Sequence, residues 1–349
     1  MIGMDKKEVI CTIGGGTGMP VVNEALVKSG YENIWSIVTT FDNGGDTGRM
    51  RTDERGQTLA NSDYWRSLIS LWNDGAQKKV WVEMLKYRDG RDRNFGNAFF
   101  QFMTEKTGSL DKVDDLFKSL TMADLRGHVI PSSLFSANMS FETAHGKVYH
   151  GEKFLDQLRM SADVVKKIWL EPKVKVNPKA VKALNKAKMI IVCPGSTFGS
   201  LMANFLVDGF KKAFNQSQAQ KILMVNLMSQ ANEGNFANQL EYEDLFKKYV
   251  GVKFDRILMA DLNCLNVKKM DKLRKFYELE HSKEVKYVDD KRTFLEDLAT
   301  IDEKNWRLRH STQKLARFFA RMSYVSKENQ KKQKPEETRL HQLRHGKRN

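Results

Sequence analysis

The sequence predicts an α/β protein built on a mostly parallel, doubly wound sheet. Two observations carry this. Short apolar runs recur at Val9–Ile13, Met189–Cys193 and Ile222–Leu227, and runs without polar alternation read as strands buried on both faces. The first two end in loops of small residues that lead into helical patterns, the strand–loop–helix rhythm of parallel sheets.

Taken in order, Val9 to Ile13 is the first strand and Pro20 to Lys28 a helix, with proline suited to its first turn. Ile34 to Thr40 is a second strand, ending in a loop rich in Gly, Asp and Asn. Leu59 to Trp72 reads as a helix, and a more polar helical stretch runs from Ala76 to about Thr107. Phe141 to Tyr149 reads as a hairpin turning at His145-Gly146. The rhythm then resumes with Met189–Cys193, a helix from about Gly199, Ile222–Leu227 and the weaker strand Ile257–Ala260. Leu315, Phe318, Phe319 and Met322 fall at i, i+3, i+4 and i+7 and define one amphipathic C-terminal helix, expected to pack on its own domain.

The expected organisation is a main domain over 1–290, a C-terminal helical extension over 291–325, and a basic, disordered tail over 326–349. With 349 residues and 41% hydrophobic content the chain can bury a large core. No apolar run reaches the 18 residues that suggest a membrane span. The start of the chain has no signal-peptide pattern, so the expected location is cytoplasmic. Cys11, Cys193 and Cys264 lie far apart in apolar segments and read as reduced core residues. A net charge of +15 favours anionic partners. From Lys327 the tail carries eight Lys/Arg against three acids. It reads either as a solubilising segment or as a contact for nucleic acid or an anionic surface.

Three loops can carry chemistry. The first is Gly14-Gly15-Gly16-Thr17-Gly18 between strand and helix. Glycines let backbone approach a phosphate, and a helix N-terminus supplies unpaired N–H groups and positive potential. The spacing is neither the dinucleotide fingerprint nor a P-loop, and four glycines exceed what a tight turn needs. The second loop, Asp42 to Arg51, follows the second strand and belongs at the same sheet edge. Asp42 can hold Mg²⁺ or a ribose hydroxyl, and Arg49 and Arg51 can meet phosphate. The alternative is a surface loop. The third, Cys193 to Ser200, either presents N–H and hydroxyl donors to a phosphate or sugar, or is a helix cap made by Ser196 or Thr197. Asn97 can meet a base or cap the helix behind it. Asn226 and Gln230 sit past the carboxyl end of the strand Ile222–Val225.

Six motifs in order, over about residues 7 to 265, resemble the gluconeogenesis factor (YvcK-like) proteins and the related 2-phospho-L-lactate transferases. They are Ile13–Gly18, Asp42–Arg51, Phe95-Gly96-Asn97-Ala98, Arg126–Pro131, Cys193–Ser200 with Asn204–Val207, and Asn226–Gln230. The resemblance implies a Rossmann-like three-layer α/β/α fold and a nucleotide or nucleotide-sugar ligand, and family members are often dimers. Gly14, Gly15, Gly16, Thr17, Gly18, Asn43, Gly44, Gly45, Arg49, Asn97, Gly195, Ser196, Asn226 and Gln230 would contact the ligand. Two functional branches are implied. One binds UDP-sugars and is tied to central carbon metabolism, cell shape and cell-envelope growth. The other is a metal-dependent transferase acting on a nucleoside-diphosphate-linked donor, for which Asp42 would be the catalytic carboxylate. Mg²⁺ would sit on Asp42 with Asp46 or Asp63. This sequence departs from the pattern at Asn43, where the family has a second Asp, and at Asp46, where it has Ser; if the carboxylate pair holds metal, Asp46 would substitute for the missing charge, and otherwise metal binding is weaker.

Overall fold

The structure, a computed structural model, describes residues 5–51, 58–157 and 163–322. Fourteen strands are present among them. They are β1 Ile10–Gly14, β2 Ile34–Val38, β3 Gly127–Pro131, β4 Asn138–Thr143, β5 Val148–His150, β6 Val165–Glu171, β7 Met189–Val192, β8 Gln220–Met224, β9 Met228–Gln230, β10 Arg256–Ala260, β11 Ser282–Glu284, β12 Thr293–Glu296, β13 Ala299–Asp302 and β14 Arg307–His310.

Seven of them form the central sheet in the order β12-β10-β8-β7-β1-β2-β3. Every pairing in it is parallel. The chain first builds outward from β1 through β2 to β3, then returns to lay β7 on the other side of β1. The order therefore reverses between β1 and β7, the place where open α/β sheets form a crevice at the carboxyl ends of their strands.

The inner strands β1 and β7 are buried along their whole length on both faces, as their unalternating sequence requires, whereas the edge strand β12 is not. Cys11, Ile13, Ile37, Ile190 and Val192 enter one core and Ile10, Ile34, Val38, Met189 and Ile191 the other. Helices cover both faces. After β2 comes the short α2 Gly45–Arg51; on the second face lie α1 Gly18–Lys28, α3 Ser62–Ser70, α4 Ala76–Lys86, α5 Phe95–Thr107 and α6 Val113–Thr121. The helix over 312–322 joins them through buried Leu315, Phe318, Phe319 and Met322. Each side chain of this kind contributes about 1.5–3 kcal/mol when fully buried, enough to hold the amphipathic stripe on its own core. The hairpin β4–β5 turns through Gly146, whose φ is +78°, and pairs with β6 in a three-stranded sheet on the first core.

Four expectations change in detail. The polar stretch 76–107 is two helices, because a turn closes at 87–94 through the Asp89 carboxylate and the Arg91 and Arg93 N–H groups. Asn94 then caps α5 by accepting the Asn97 N–H. Residues 45–51, expected as loop, form α2. Glycine at 48 permits it, since a Cβ there would strike the Asn43 carbonyl. The segment from 291, expected as helical, begins with β12 and the β13–β14 hairpin, and the helix occupies only 312–322. Cys264 is exposed in the turn Leu262–Cys264 that follows β10, whereas Cys11 and Cys193 are buried as expected. The basic tail over 326–349 lies outside the described residues.

One buried feature has no apolar signature. Thr12, Asn23, Ser36, Ser67 and Ser70 form a hydrogen-bonded cluster under the first loop. Thr12 Oγ1 donates to Asn23 Oδ1 at 2.8 Å, and Asn23 Nδ2 donates to Ser36 Oγ at 2.9 Å. The cluster ties β1, β2, α1 and α3 together, and so fixes where α1 begins.

Candidate functional site at the switch point of the sheet

The first loop leaves β1 at Gly14 and enters α1 at Gly18. Each of three glycines has a separate reason to be there. A Cβ on Gly15 would lie 2.5 Å from Asp63 Oδ2 and 2.7 Å from Thr39 Cγ2. Gly16 has φ +62°, the left-handed region that disfavours side chains. A Cβ on Gly18 would run into the Pro194 carbonyl oxygen of the third loop. Loops one and three are therefore in backbone contact across the β1–β7 reversal. Thr17 is exposed and its side chain does not cap α1, so the first turn of α1 presents its N–H groups without a side-chain acceptor.

Two carboxylates flank this loop. Asp63, in the first turn of α3, accepts the Gly16 N–H and pairs with Arg66 at 3.3 Å. Asp42 accepts the Gly44 N–H at 2.8 Å and the Ser62 hydroxyl at 3.0 Å. Burial, and then the charge of Asp42, push the Asp63 carboxyl up to about 6, against the pull of Arg66 and the Gly16 N–H. Two like charges thus share the edge of the loop. The Thr39 hydroxyl, beside Gly15, is buried with no hydrogen-bond partner among the described residues.

Asp46 is drawn elsewhere. Its Oδ2 accepts the Asn94 N–H at 3.1 Å and Asn97 Nδ2 at 2.9 Å, joining α2 to the start of α5. Asn97 is buried, and its Oδ1 accepts the Trp65 indole N–H at 2.9 Å. Both ends of that amide are spent inside the protein. Among the described residues no three His, Cys, Asp or Glu side chains converge as a metal cluster, so Asp42, Asp46 and Asp63 are not one triad.

Arg51 is also internal. It is 1% exposed, and its guanidinium donates to the carbonyls of Thr58, Phe41, Asp42 and Ala137 and to the Ser136 hydroxyl. It shapes the second loop and does not face a phosphate. Burial lowers its pKa and the Asp42 charge opposes that. Arg49 is exposed, donates to the Asp92 carbonyl at 2.9 Å and lies 3.4 Å from Asp46. Asn43 Oδ1 accepts the Lys153 N–H at 2.9 Å. Gly44 and Gly45 make the turn into α2, where Gly45 has φ +46°.

The third loop is also held from within. Asn226 grips Gly195 twice, accepting its N–H at 3.0 Å and donating to its carbonyl at 2.8 Å. Ser196 Oγ accepts the Gly199 N–H at 3.1 Å, a helix cap. Ser196 also donates to Glu233 Oε1 at 2.5 Å, and the Thr197 N–H donates to Glu233 Oε2 at 2.8 Å. The helix behind the loop starts at Thr197 with a π-helical stretch to Met202 and continues to Phe205. Gln230 ends β9, where its backbone pairs with Ser282 of β11.

Sequence reading passed over Ser62, Arg66, Thr39 and Glu233. The first two stand beside Asp63 on α3, at positions −1 and +3. Glu233 follows Gln230 by three residues, just past the segment Asn226–Gln230 that the sequence singles out. Nothing in its immediate sequence marks it as the partner of a loop 36 residues upstream.

A doubly wound α/β sheet with a glycine-rich loop, two carboxylates and a small-residue loop at its switch point defines the class of protein. Within that class the chain belongs to the family described as 2-phospho-L-lactate transferase CofD, whose model matches residues 10–305. A relative from Aquifex aeolicus is 32% identical over 258 residues, covering 71% of this chain and 76% of its own. A gluconeogenesis factor of Listeria monocytogenes is 26% identical over 325 residues, covering 89% of this chain and 94% of its own. A crystal structure of a UPF0052 family member from Bacillus halodurans superposes with a TM-score of 0.76 at 24% identity, covering 91% of this chain and 99% of that one. Among the described residues no helix is long and apolar enough to cross a membrane.

Proposed function

We propose that the protein binds a nucleoside-diphosphate sugar of the UDP-sugar class at the β1–β7 crevice. In this reading it acts in the cytoplasm as a regulator tied to central carbon metabolism and cell-envelope growth. The observation that supports this best is the meeting of the uncapped start of α1 with the Asp42–Asp63 pair. Backbone N–H groups at a helix start attract a diphosphate. Carboxylates beside them need a cation or hydroxyl donors to offset their repulsion. The gluconeogenesis-factor name of relatives that align over nearly the whole chain points the same way.

Asp42 and Asp63 would hold Mg²⁺, since this cation needs only one or two carboxylates when phosphates and waters complete its shell. Their mutual repulsion and the unpartnered Thr39 hydroxyl fit such a group. Bound there, Mg²⁺ would neutralise phosphate charge. Of this chain's own groups, the Thr17–Gly18 turn orients the diphosphate, and Arg66 steadies Asp63. Asn226 holds Gly195, and with it the carbonyl of Pro194, against Gly18.

The same carboxylate pair favours a second reading, a transferase acting on a nucleoside-diphosphate-linked donor, as the family's description suggests. Phosphoryl chemistry asks chiefly for positioning and charge stabilisation, which these groups offer.

A thermal-shift titration with UDP-N-acetylglucosamine, UDP-glucose, GDP and GTP, with and without Mg²⁺, separates the two. A ligand at 100 times its Kd adds about 2.7 kcal/mol. A selective shift with a UDP-sugar supports the regulator. A shift only with guanine nucleotides and Mg²⁺, lost in Asp42→Ala, supports the transferase. No shift with any of them refutes both.

A further inference from the structure

The amino edge of the sheet, opposite the crevice, carries a second concavity. It is a cleft of about 810 Å³ whose lining includes Lys188, Lys221, Lys253, Asp255, Arg256 and Arg292. The topology gathers these cations. β7, β8, β10 and β12 are parallel neighbours. Lys188 immediately precedes β7, Lys221 is the second residue of β8, Arg256 opens β10 and Arg292 immediately precedes β12. A basic residue thus stands at the start of each of four adjacent strands, and Lys253 lies on the approach to β10. The four residues of β7, at about 3.3 Å each, leave roughly 13 Å of sheet between this edge and the third loop. The cleft is therefore separate from the crevice.

Arg292 shows what a structural cation looks like at this edge. Its guanidinium pairs with Glu243 at 2.7 Å and with Asp290 at 3.0 Å. The other four differ. Among the described residues no carboxylate lies within ion-pair distance of Lys188, Lys221, Lys253 or Arg256. Lys188 and Lys253 are exposed, and their ammonium groups make no hydrogen bond to these residues. Lys253 acts on Asp290 at longer range, and Arg292 already pairs that carboxylate. Lys221 Nζ donates to the Ser217 carbonyl at 2.6 Å, over the Phe214 ring. Arg256 donates to the Asp255 carbonyl at 2.8 Å, beside the Phe294 ring. These neutral partners fix the two side chains and leave them charge and further donors to spare. The Asp255 carboxylate accepts the Lys221 backbone N–H at 2.7 Å. Four cations on neighbouring strands repel one another, and an anion between them offsets that repulsion.

We propose that this cleft is a second binding site, for a small molecule that carries two or more phosphoryl groups. Lysine and arginine donors make short, charge-assisted hydrogen bonds to phosphate oxygens. Neighbouring strands lie about 4.8 Å apart, so the cations from β7 to β10 span roughly 10 Å. A single phosphate cannot touch both ends of that row, and linked phosphates can. The cleft suits a nucleic-acid strand poorly, because its lining aromatic, Phe254, is buried and offers no face on which bases could stack. The site stands independently of the nucleotide reading of the crevice.

The test is calorimetric titration of the full chain with orthophosphate, tripolyphosphate and a single-stranded oligonucleotide in Mg²⁺-free buffer, with the double variant Lys188→Gln/Lys253→Gln alongside. Both lysines are exposed, so the variant is expected to melt no lower than its parent. The wild-type protein is expected to bind tripolyphosphate at least roughly tenfold more tightly than orthophosphate, and the variant to lose at least roughly tenfold of that tripolyphosphate affinity. UDP-glucose, titrated into both proteins, is expected to behave alike in the two. Wild-type protein that does not bind tripolyphosphate, or does not prefer it to orthophosphate, overturns the proposal. Unchanged tripolyphosphate affinity in the variant overturns it too and places the bound polyanion elsewhere, the glycine loop included. An equal loss for UDP-glucose would mean that both ligands use one site, which is incompatible with a second one. Binding of the oligonucleotide in preference to tripolyphosphate would make the cleft a nucleic-acid surface and refute a small-molecule site.

Discussion

Asp63 Oδ2 occupies the space that a side chain on Gly15 would need, 2.5 Å from its would-be Cβ. The glycine loop and the carboxylate that flanks it are thus one packed unit. No side chain can be added at Gly15 without moving Asp63.

Gly15→Ala tests that unit. The new methyl would have to displace Asp63 on one side and Thr39 on the other. Overpacking of this kind costs about 1–3 kcal/mol. The variant is expected to melt lower and to lose roughly tenfold or more in nucleotide-sugar affinity, since the Gly16 N–H and the Asp63 carboxylate shift together. Thermal melts and a ligand titration on the same preparation read both effects. A variant with wild-type stability and wild-type affinity would show that the contact is slack.

Asp63→Asn separates charge from shape. The folded-state carboxyl is raised to about 6, above its unfolded value near 3.9. Between those values the folded protein holds more protons than the unfolded chain, so stability falls as pH rises through the window. Above about pH 6 the full cost is present. The asparagine variant lacks it. It is expected to be more stable than its parent at pH 7.5, by the order of 2–3 kcal/mol, with the gap closing toward pH 4. Mg²⁺ at pH 7.5 is expected to stabilise the parent and not the variant. Urea melts at the two pH values decide; a variant weaker than its parent at both leaves no room for carboxylate repulsion at this site.

Arg51→Lys probes the second loop. The guanidinium satisfies four carbonyls and one hydroxyl from a position that is 1% exposed. A lysine ammonium has three donors and no planar fork, so at least two of these five acceptors lose their guanidinium donor, and among the described residues only the Thr58 carbonyl keeps a second one, the Ser136 hydroxyl. The expected loss is roughly 2–4 kcal/mol. Ligand affinity is expected to fall only as far as Asp42 moves, because Arg51 holds its carbonyl. A direct phosphate contact would instead show as an affinity loss in a protein of wild-type stability.

What the sequence disclosed, and what it withheld, divides along range. The glycine loop, the hairpin turn at Gly146 and the stripe Leu315–Met322 follow from local geometry, and the sequence announces them. The parallel sheet follows from runs such as Met189–Val192 that are apolar on both faces. The inward turning of Arg51, Asn97 and Asn226 does not follow. A polar side chain at a loop reads the same whether it awaits a ligand or a distant backbone group. Arg51 meets Ala137, Asn97 meets Asp46 and Asn226 meets Gly195 only once the strands are in order. Asp46 illustrates the same limit: the resemblance offered it as a partner of Asp42 on a metal, and packing gave it to the start of α5. The Thr12–Asn23–Ser36 cluster was hidden for a related reason, because small polar residues inside apolar strands and helices carry no periodic signal.

Asn226 gives the last prediction, because two substitutions there should part company. Its amide both donates to and accepts from Gly195, and Gly195 lies next to the Pro194 carbonyl that packs on Gly18. Asn226→Ala removes both bonds and leaves the loop to the Ser196 and Thr197 contacts with Glu233. A loss of about 1–3 kcal/mol is expected. Asn226→Asp keeps the acceptor for the Gly195 N–H but sets a carboxylate oxygen against the Gly195 carbonyl, with Glu233 already on the same loop. It is expected to lose nucleotide-sugar affinity at neutral pH more than alanine does, and to recover part of it as falling pH protonates the new carboxyl. Affinity measured at pH 5 and pH 7.5 for both variants separates a lost clamp from added negative charge. Equal losses at both pH values in both variants would mean that Asn226 meets the ligand itself and that its hold on Gly195 is incidental.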